Sequence, residues 1–147
     1  MRIYPVTKAD IPMLHQALAQ LSQDLGDQHM ASLAALTAAA PLWRAILAVD
    51  EAPKGALLAT PLFSTTRGGV GLYVSDLWVS AEARGQGLGQ RLLSAALQQW
   101  RPVFIKLSVY DDNTRGRAFY ERAGFVAQDE TNMILQGAAL DRLKGQP

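Results

Sequence analysis

The sequence predicts a mixed α/β (α+β) fold in one domain, residues 1–147. Three observations predict it. Short apolar or β-branched runs alternate along the chain with runs of helical period. A glycine-rich string, Arg84-Gly85-Gln86-Gly87-Leu88-Gly89, joins a strand-like stretch to an amphipathic one. With 147 residues, 49% hydrophobic and 18% charged, the chain has the length and composition of one globular domain with a proper core.

Residues 2–6 read as the first strand. Thr7 or Asp10 caps the helix that follows. Thr7-x-x-Asp10 resembles a capping box with Asp in place of Glu, and Pro12 is tolerated in the first turn. Ile11, Leu14, Leu18, Leu21 and Leu25 recur at helical spacing, so one face is buried, and Gly26 serves as C-cap. Residues 29–40 read as a second, Ala-rich helix ended by Pro41. Strands follow over 43–49 and 55–63, joined by a turn at 50–54. Pro61 marks an edge position or a bulge.

Another turn at 64–69 leads into a long strand that ends at Val79. Leu88, Leu92, Leu93, Ala96, Leu97 and Trp100 mark the buried face of a third helix, 90–100, which Pro102 stops. A fifth strand over 103–109 and a fourth helix over 114–123 come next. Residues 125–127 and 132–135 read as a closing hairpin, and 137–147 as a polar tail with a frayed short helix. Trp43, Trp78 and Phe63 read as core.

The glycine-rich string carries the first functional signal. A strand, a glycine turn and a helix N-terminus together offer unpaired backbone N–H groups to an anion. Glycines let a diphosphate approach the backbone without Cβ clashes. The dinucleotide fingerprint G-x-G-x-x-G fails, because its third glycine would fall on Gln90 or Leu92. No G-x-x-x-x-G-K-[ST] string exists either. These failures set NAD and ATP aside as ligands. The spacing that fits is R/Q-x-x-G-x-G/A, met by Arg84, Gly87 and Gly89. A ligand-free strand-to-helix turn is the other reading of the same glycines.

A second string sharpens the choice. Asn113-Thr-Arg-Gly-Arg-Ala-Phe-Tyr120-Glu-Arg-Ala-Gly124-Phe125 follows at the matching distance, behind a predicted strand. The two strings together resemble the two hallmarks of the GNAT superfamily of N-acetyltransferases. The resemblance covers residues 72–135 well, and the first seventy residues by element order alone. One departure is visible. Gly116 stands where the family usually has Ala, at a helix cost of about 1 kcal/mol.

The resemblance implies a central twisted mixed sheet of about seven strands, in the order βααβββ–βαβα–ββ, with helices on both faces. It also implies acetyl-CoA as acyl donor. The pantetheine arm would run beside Leu77, Trp78 and Val79, between two splayed parallel strands. The diphosphate would sit on the N–H groups of Arg84, Gly85, Gln86, Gly87, Leu88, Gly89 and Gln90. The helix dipole adds about 0.3–1 kcal/mol per nearby charge at an exposed end. Asn113 matches the residue that caps the fourth helix and touches the arm, and a plain N-cap is compatible with that role. Arg91 reads equally well as a surface charge.

Acetyl transfer from a thioester to an amine passes through a tetrahedral oxyanion and expels a thiolate. The oxyanion needs a positioned N–H, expected from a bulged strand near Val79. A tyrosine is protonated near pH 7 and can donate to the thiolate. Tyr120 matches the family's general acid; a tyrosine packing the fourth helix onto the sheet is its alternative. An alkylammonium is neutral only about once in 10³ molecules at pH 7, so some base or water chain must take its proton. In the diamine acetyltransferases a Leu-Glu-Asp string supplies a glutamate before the loop. Here the string is Val74-Ser75-Asp76-Leu77, so that base is absent. Asp76 remains, either to anchor a cationic substrate or to fix the strand bulge. Asp24, Asp27 and His29 fall where the family lines its acceptor site.

The implied activity is transfer of an acetyl group to a primary amine of a small molecule, polyamine- or amino-acid-like, by direct attack in a ternary complex. The alternatives are a protein N-terminal or lysine acetyltransferase, and a non-catalytic acyl-CoA-binding regulatory module. The chain has no cysteine, which excludes disulfides, thiolate metal sites and a cysteinyl acyl-enzyme. With two histidines and no H-x-x-x-H spacing, no metal is expected, and His15 and His29 read as surface or cap residues. Net charge +1 argues against nucleic acid as a partner. No apolar run is long enough for a membrane span, and the first residues lack the apolar segment of a signal peptide. A cytoplasmic protein is the expectation. Homodimers are common in the family, which makes a homodimer an expectation of the resemblance alone.

Overall fold

The computed structural model describes residues 1–29 and 31–146. Met30, within the predicted second helix, and Pro147, at the end of the predicted tail, lie outside the described residues. The chain forms two compact units, Met1–Tyr110 and Asp111–Pro147.

The first unit is built on a five-stranded sheet in simple sequence order: β1 (Arg2–Pro5), β2 (Arg44–Asp50), β3 (Ala52–Ser64), β4 (Gly69–Val79) and β5 (Ile105–Leu107). The first four are antiparallel neighbours, and β5 pairs parallel to β4. The class is therefore the expected mixed α/β one. The strand count is five rather than about seven.

Alternation along β2 and β3 sends side chains to two cores. Ala45, Leu47 and Ala56, with Trp78 of β4, pack under α1 (Ile11–Leu25) and α2 (Leu33–Ala38), against Ile11, Leu14, Ala17, Leu18 and Leu36. The opposite face is covered by α3 (Leu88–Trp100), which buries Leu88, Leu92, Leu93 and Ala96. α1 starts and stops as its sequence dictates. Thr7 N–H and Oγ1–H both donate to Asp10 Oδ2 at 2.8 Å, and Gly26 caps the far end at φ 75°.

Several expected boundaries move. α2 is shorter than 29–40, because Ser32 Oγ accepts the Ala35 N–H and fixes the start there. The turn between β2 and β3 tightens onto Glu51, a non-glycine residue at φ 63°. α3 begins at Leu88 rather than Gln90. Pro61 lies beyond the end of β2, where β3 pairs with β4 alone, so it holds the expected edge position. Phe63 is not core. It pairs with Val70 at the tip of the β3–β4 hairpin, outside helix cover, and is 68% exposed.

The second unit holds α4 (Thr114–Ala123) and α5 (Gly137–Lys144). α4 has the predicted bounds, with Asn113 as N-cap and Gly124 as a left-handed C-cap at φ 105°. The closing hairpin over 125–127 and 132–135 is not formed. A two-stranded hairpin is marginal without a buried face, and here Met133 and Ile134 are 91% and 80% exposed. No helix among the described residues is long and apolar enough to cross a membrane.

Candidate functional site

β4 is the spine of the site. Its pairing with β5 runs from Leu72↔Ile105 to Val74↔Leu107 and stops. Phe104 O and Val70 O extend the bonding only backwards, through Leu72 N–H and Val103 N–H. Ser108 and Val109, expected in the strand, lie beyond its end, and the Tyr73 hydroxyl of β4 donates to Ser108 Oγ at 2.9 Å. From residue 76 to 79 β4 pairs with β3 on one side, and no strand among the described residues pairs with the other.

A bulge sets what that open edge presents. Leu58 pairs with Asp76 and Ala59 with Val74, leaving Ser75 as the extra residue. The bulge lies at Ser75 rather than near Val79. Ser80 N–H donates to Lys54 O at 2.8 Å, so even-numbered residues after the bulge face β3. By alternation the backbone groups of Leu77 and Val79 point to the open edge. Were Ser75 an ordinary strand residue rather than a bulge, unbroken alternation would turn both toward β3. Trp78, by contrast, pairs with Ala56 and buries its indole in the α1 core.

The edge leads straight into the glycine turn. Gly85 and Gly87 both have left-handed φ, 77° and 76°, and a Cβ on either would meet nothing within 4 Å. Gly87 is the N-cap of α3 and has no side chain to cap it. The first internal bond of α3 is Arg91 N–H to Gly87 O, so the N–H groups of Leu88, Gly89 and Gln90 have no helical partner. α3 is held at the end of β4 by close packing: a Cβ on Gly55 would stand 2.9 Å from Leu92 Cδ1 and 3.2 Å from Leu88 Cδ2. These features fit an extended ligand that adds to the β4 edge and ends in a diphosphate.

The Arg84 side chain is tied down, which leaves its backbone N–H to the turn. Its Nε–H donates to Val79 O at 3.2 Å, and its guanidinium reaches Asp24 Oδ2 at 3.0 Å. Trp78 Nε1–H donates to the same oxygen at 3.1 Å. The Arg84 side chain is thus a strut between α1 and the turn, and Asp24 is its anchor. Gln86 folds back, its Nε2 donating to Glu82 O. Asp27 accepts the Tyr110 hydroxyl at 3.1 Å.

On the α1 face of the open β4 segment lies a polar cluster. Asp76 Oδ2 accepts the Ser75 hydroxyl at 3.0 Å. Burial pushes the Asp76 carboxyl above its usual range, while the Ser75 hydrogen bond and the nearby His29 pull it the other way. A folded value above the unfolded one means that stability from this group is full below about pH 3.9 and is lost as pH rises through the folded value. Asp76→Asn is therefore expected to melt at or above the wild-type temperature near pH 7, with the difference vanishing below about pH 3.9. Thermal unfolding across that range checks the sign; a lower melting point near pH 7 would show that the charge itself holds a partner.

His15 and His29 are not the surface or cap residues expected. Both are half-buried, with rings edge to face at 5.1 Å. His15, Leu18 and Ser22 share one helical face at spacings of three and four, which is the pattern that places His15 against the cluster. His29 comes from the segment after α1, and no periodicity could have brought it there. Among the described residues no three His, Asp or Glu side chains gather as a metal-ion set.

In the second unit, Asn113 Oδ1 accepts the Gly116 N–H at 2.9 Å. The Asn113 side chain fills the space of an alanine methyl at 116, whose Cβ would stand 2.5 Å from Asn113 Nδ2. Gly116 is thus fitted to this Asn113 rotamer. Tyr120 sits between Phe119 and Phe125, ring centroids 5.3 and 5.5 Å away. Burial pushes its hydroxyl above the ordinary phenol range, which keeps it protonated at neutral pH.

Comparison with known proteins bears on this geometry. The model of the Acetyltransferase (GNAT) family matches residues 13–125. A peptidyl-lysine N-acetyltransferase, YjaB of Salmonella typhimurium, is 33% identical over 86 residues, 58% of this chain and 50% of that protein. A 5-NmdU N-acetyltransferase of Pseudomonas phage PaMx11 is 38% identical over 53 residues, 36% of this chain and 38% of that protein. The matches thus span half or less of these curated relatives. Among solved structures, an aminoglycoside acetyltransferase from an uncultured soil metagenomic sample, in complex with sisomicin, superposes with a TM-score of 0.77 at 15% identity, covering 92% of this chain and 95% of that one.

Proposed function

Because the chain belongs to the Acetyltransferase (GNAT) family, we propose that it transfers the acetyl group of acetyl-CoA to a primary amine of a small molecule, polyamine- or amino-acid-like, by direct attack in a ternary complex. The observation that carries the reading is the unpaired edge of β4 running into the Gly85–Gly87 turn and the uncapped start of α3. Leu77 and Val79 supply backbone partners for the pantetheine arm. The N–H groups of Leu88, Gly89 and Gln90 hold the diphosphate, with Gly85 and Gly87 giving it room. The Arg84 side chain braces the turn, and its backbone N–H belongs to the same diphosphate loop.

When bound, acetyl-CoA supplies an activated thioester carbonyl. In this reading the backbone N–H of Val79 or Leu77 stabilises charge on that carbonyl oxygen. In this reading Asp76 holds a cationic acceptor, and Tyr120 protonates the leaving thiolate. A lysine side chain in a peptide is a second acceptor class, favoured by the similarity to the peptidyl-lysine enzyme.

The test is acetyl-CoA-dependent thiol release by the full chain with spermidine, Nα-acetyl-lysine amide, kanamycin and a lysine-bearing peptide. Turnover of the small amines above the peptide supports the first reading, and the reverse order supports the second. Binding of acetyl-CoA without turnover of any of them points to a binding module instead.

A further inference from the structure

α1 carries an acid where a helix favours a base. Asp24 stands in its last turn, against the helix dipole, and no basic residue balances it there. The turn is nonetheless rigid. Gly26 N–H donates to Gln23 O and Asp27 N–H to Ser22 O, which closes the helix end in a Schellman pattern. A local cost on a fixed backbone points to a non-local use. Asp24 has one. Its Oδ2 accepts both Trp78 Nε1–H and Arg84 Nη2–H, and its Oδ1 accepts Gln20 Nε2–H at 2.9 Å. Three donors fill most of the carboxylate's capacity, and the Arg84 guanidinium answers its charge. An acceptor ammonium would meet a pair that is already neutral.

The same bonds reach the two parts that would receive acetyl-CoA. Trp78 lies between Leu77 and Val79 on β4, so its anchored indole fixes the strand where the edge is open. Arg84 opens the glycine turn. Its guanidinium spans two elements: Nη2–H meets Asp24, and Nε–H meets Val79 O at 3.2 Å. The peptide after Val79 is thus held at both ends, because Ser80 N–H donates to Lys54 O. A pantetheine arm on the edge and a diphosphate on the turn need one fixed spacing between them. The Asp24–Arg84–Val79 chain of contacts sets that spacing.

Resting on the acetyltransferase reading, we propose that Asp24 is a positioning residue for the donor: through Trp78 and Arg84 it sets the glycine turn against the open end of β4, and it leaves the acceptor to other groups. The sign of its effect separates this role from plain electrostatics. Asp24 is a negative charge tied to the turn that would hold an anionic diphosphate. Removing it favours the anion on charge alone and frees Arg84 to meet the phosphates. Losing a brace does the reverse.

Calorimetry of the full chain with acetyl-CoA reads that sign. Asp24→Asn, close in shape, is expected to weaken binding at least about fivefold. Unchanged or tighter binding overturns the proposal. Arg84→Lys keeps the charge but cannot reach Asp24 and Val79 O together, and a similar loss is expected. Wild-type affinity in that variant overturns the proposal too, and it carries the test should thermal unfolding show that Asp24→Asn does not fold. The double variant is expected to bind within about twofold of the weaker-binding single one, since both break one chain of contacts. Losses that multiply overturn the proposal. With an amine that the wild type turns over, Asp24→Asn at saturating acetyl-CoA should keep the acceptor KM within about twofold. A larger rise overturns the proposal by returning Asp24 to the acceptor. The premise fails separately: a wild-type chain that binds no acetyl-CoA ends the acetyltransferase reading itself, whereas wild-type binding that the variants keep removes only the role of Asp24.

Discussion

A Tyr120→Phe chain is expected to lose about 10²-fold in kcat while binding acetyl-CoA as the wild type does. The ring stays between Phe119 and Phe125, so the substitution removes one hydroxyl and no packing of consequence. General-acid catalysis spans about 10²–10⁴-fold, and the low end applies here for a physical reason. A phenol near pKa 10 is at least about 1.5 units less acidic than an ordinary thiol, some 2 kcal/mol uphill for full transfer. Burial raises the Tyr120 hydroxyl further. A Tyr120 acting as general acid would therefore share its proton with the sulfur in the transition state rather than hand it over early. Steady-state rates with a turned-over amine, beside calorimetry with acetyl-CoA, make the test. A near wild-type rate would assign the hydroxyl to structure and leave water to protonate the thiolate. Joint loss of rate and affinity would place Tyr120 in packing.

The parts of the chain legible from sequence are those whose signals are local. α4 could be bounded to the residue because Asn113 and Gly124 are caps with specific backbone chemistry. The glycine turn was legible because left-handed φ next to a helix start leaves few residue choices. Non-local pairing was not legible. Residues 103–109 read as a uniform strand, yet only Ile105–Leu107 is strand, because separation from β4 after Leu107 is a property of two segments. The closing hairpin failed for the same reason: its alternation fits a strand, but no buried face receives it.

The site shows the same division. Asp24 and Asp27 were candidates for the acceptor, and each has a partner: Arg84 and Trp78 for the first, Tyr110 for the second. Those contacts join residues more than fifty positions apart, beyond any periodicity argument. Gly116 was readable only as a departure from the family pattern. The structure gives it a cause, since the Asn113 side chain occupies the alanine methyl's place. A propensity cost of about 1 kcal/mol is set against a cap of similar size.

Gly87→Val is expected to weaken acetyl-CoA binding at least tenfold, about 1.4 kcal/mol. Two effects contribute. A left-handed φ of 76° costs an L-residue about 1–2 kcal/mol, and more for a β-branched one. The open space around the Cβ position is also where a diphosphate would approach the uncapped N–H groups of Leu88, Gly89 and Gln90. A second glycine separates these effects. Gly26 has nearly the same φ, 75°, and equally open surroundings, but it caps the far end of α1. Gly26→Val should lower the melting temperature by a similar amount through strain and leave acetyl-CoA affinity within about twofold of wild type. Calorimetry and thermal unfolding on both variants make the comparison. If Gly87→Val folds and binds acetyl-CoA with unchanged affinity, the turn is not the diphosphate site. If both variants lose affinity alike, strain rather than occupation of the site explains the loss. A deficit confined to Gly87→Val ties the turn to the donor, because strain is common to both glycines and only one stands beside unpartnered N–H groups at the start of α3.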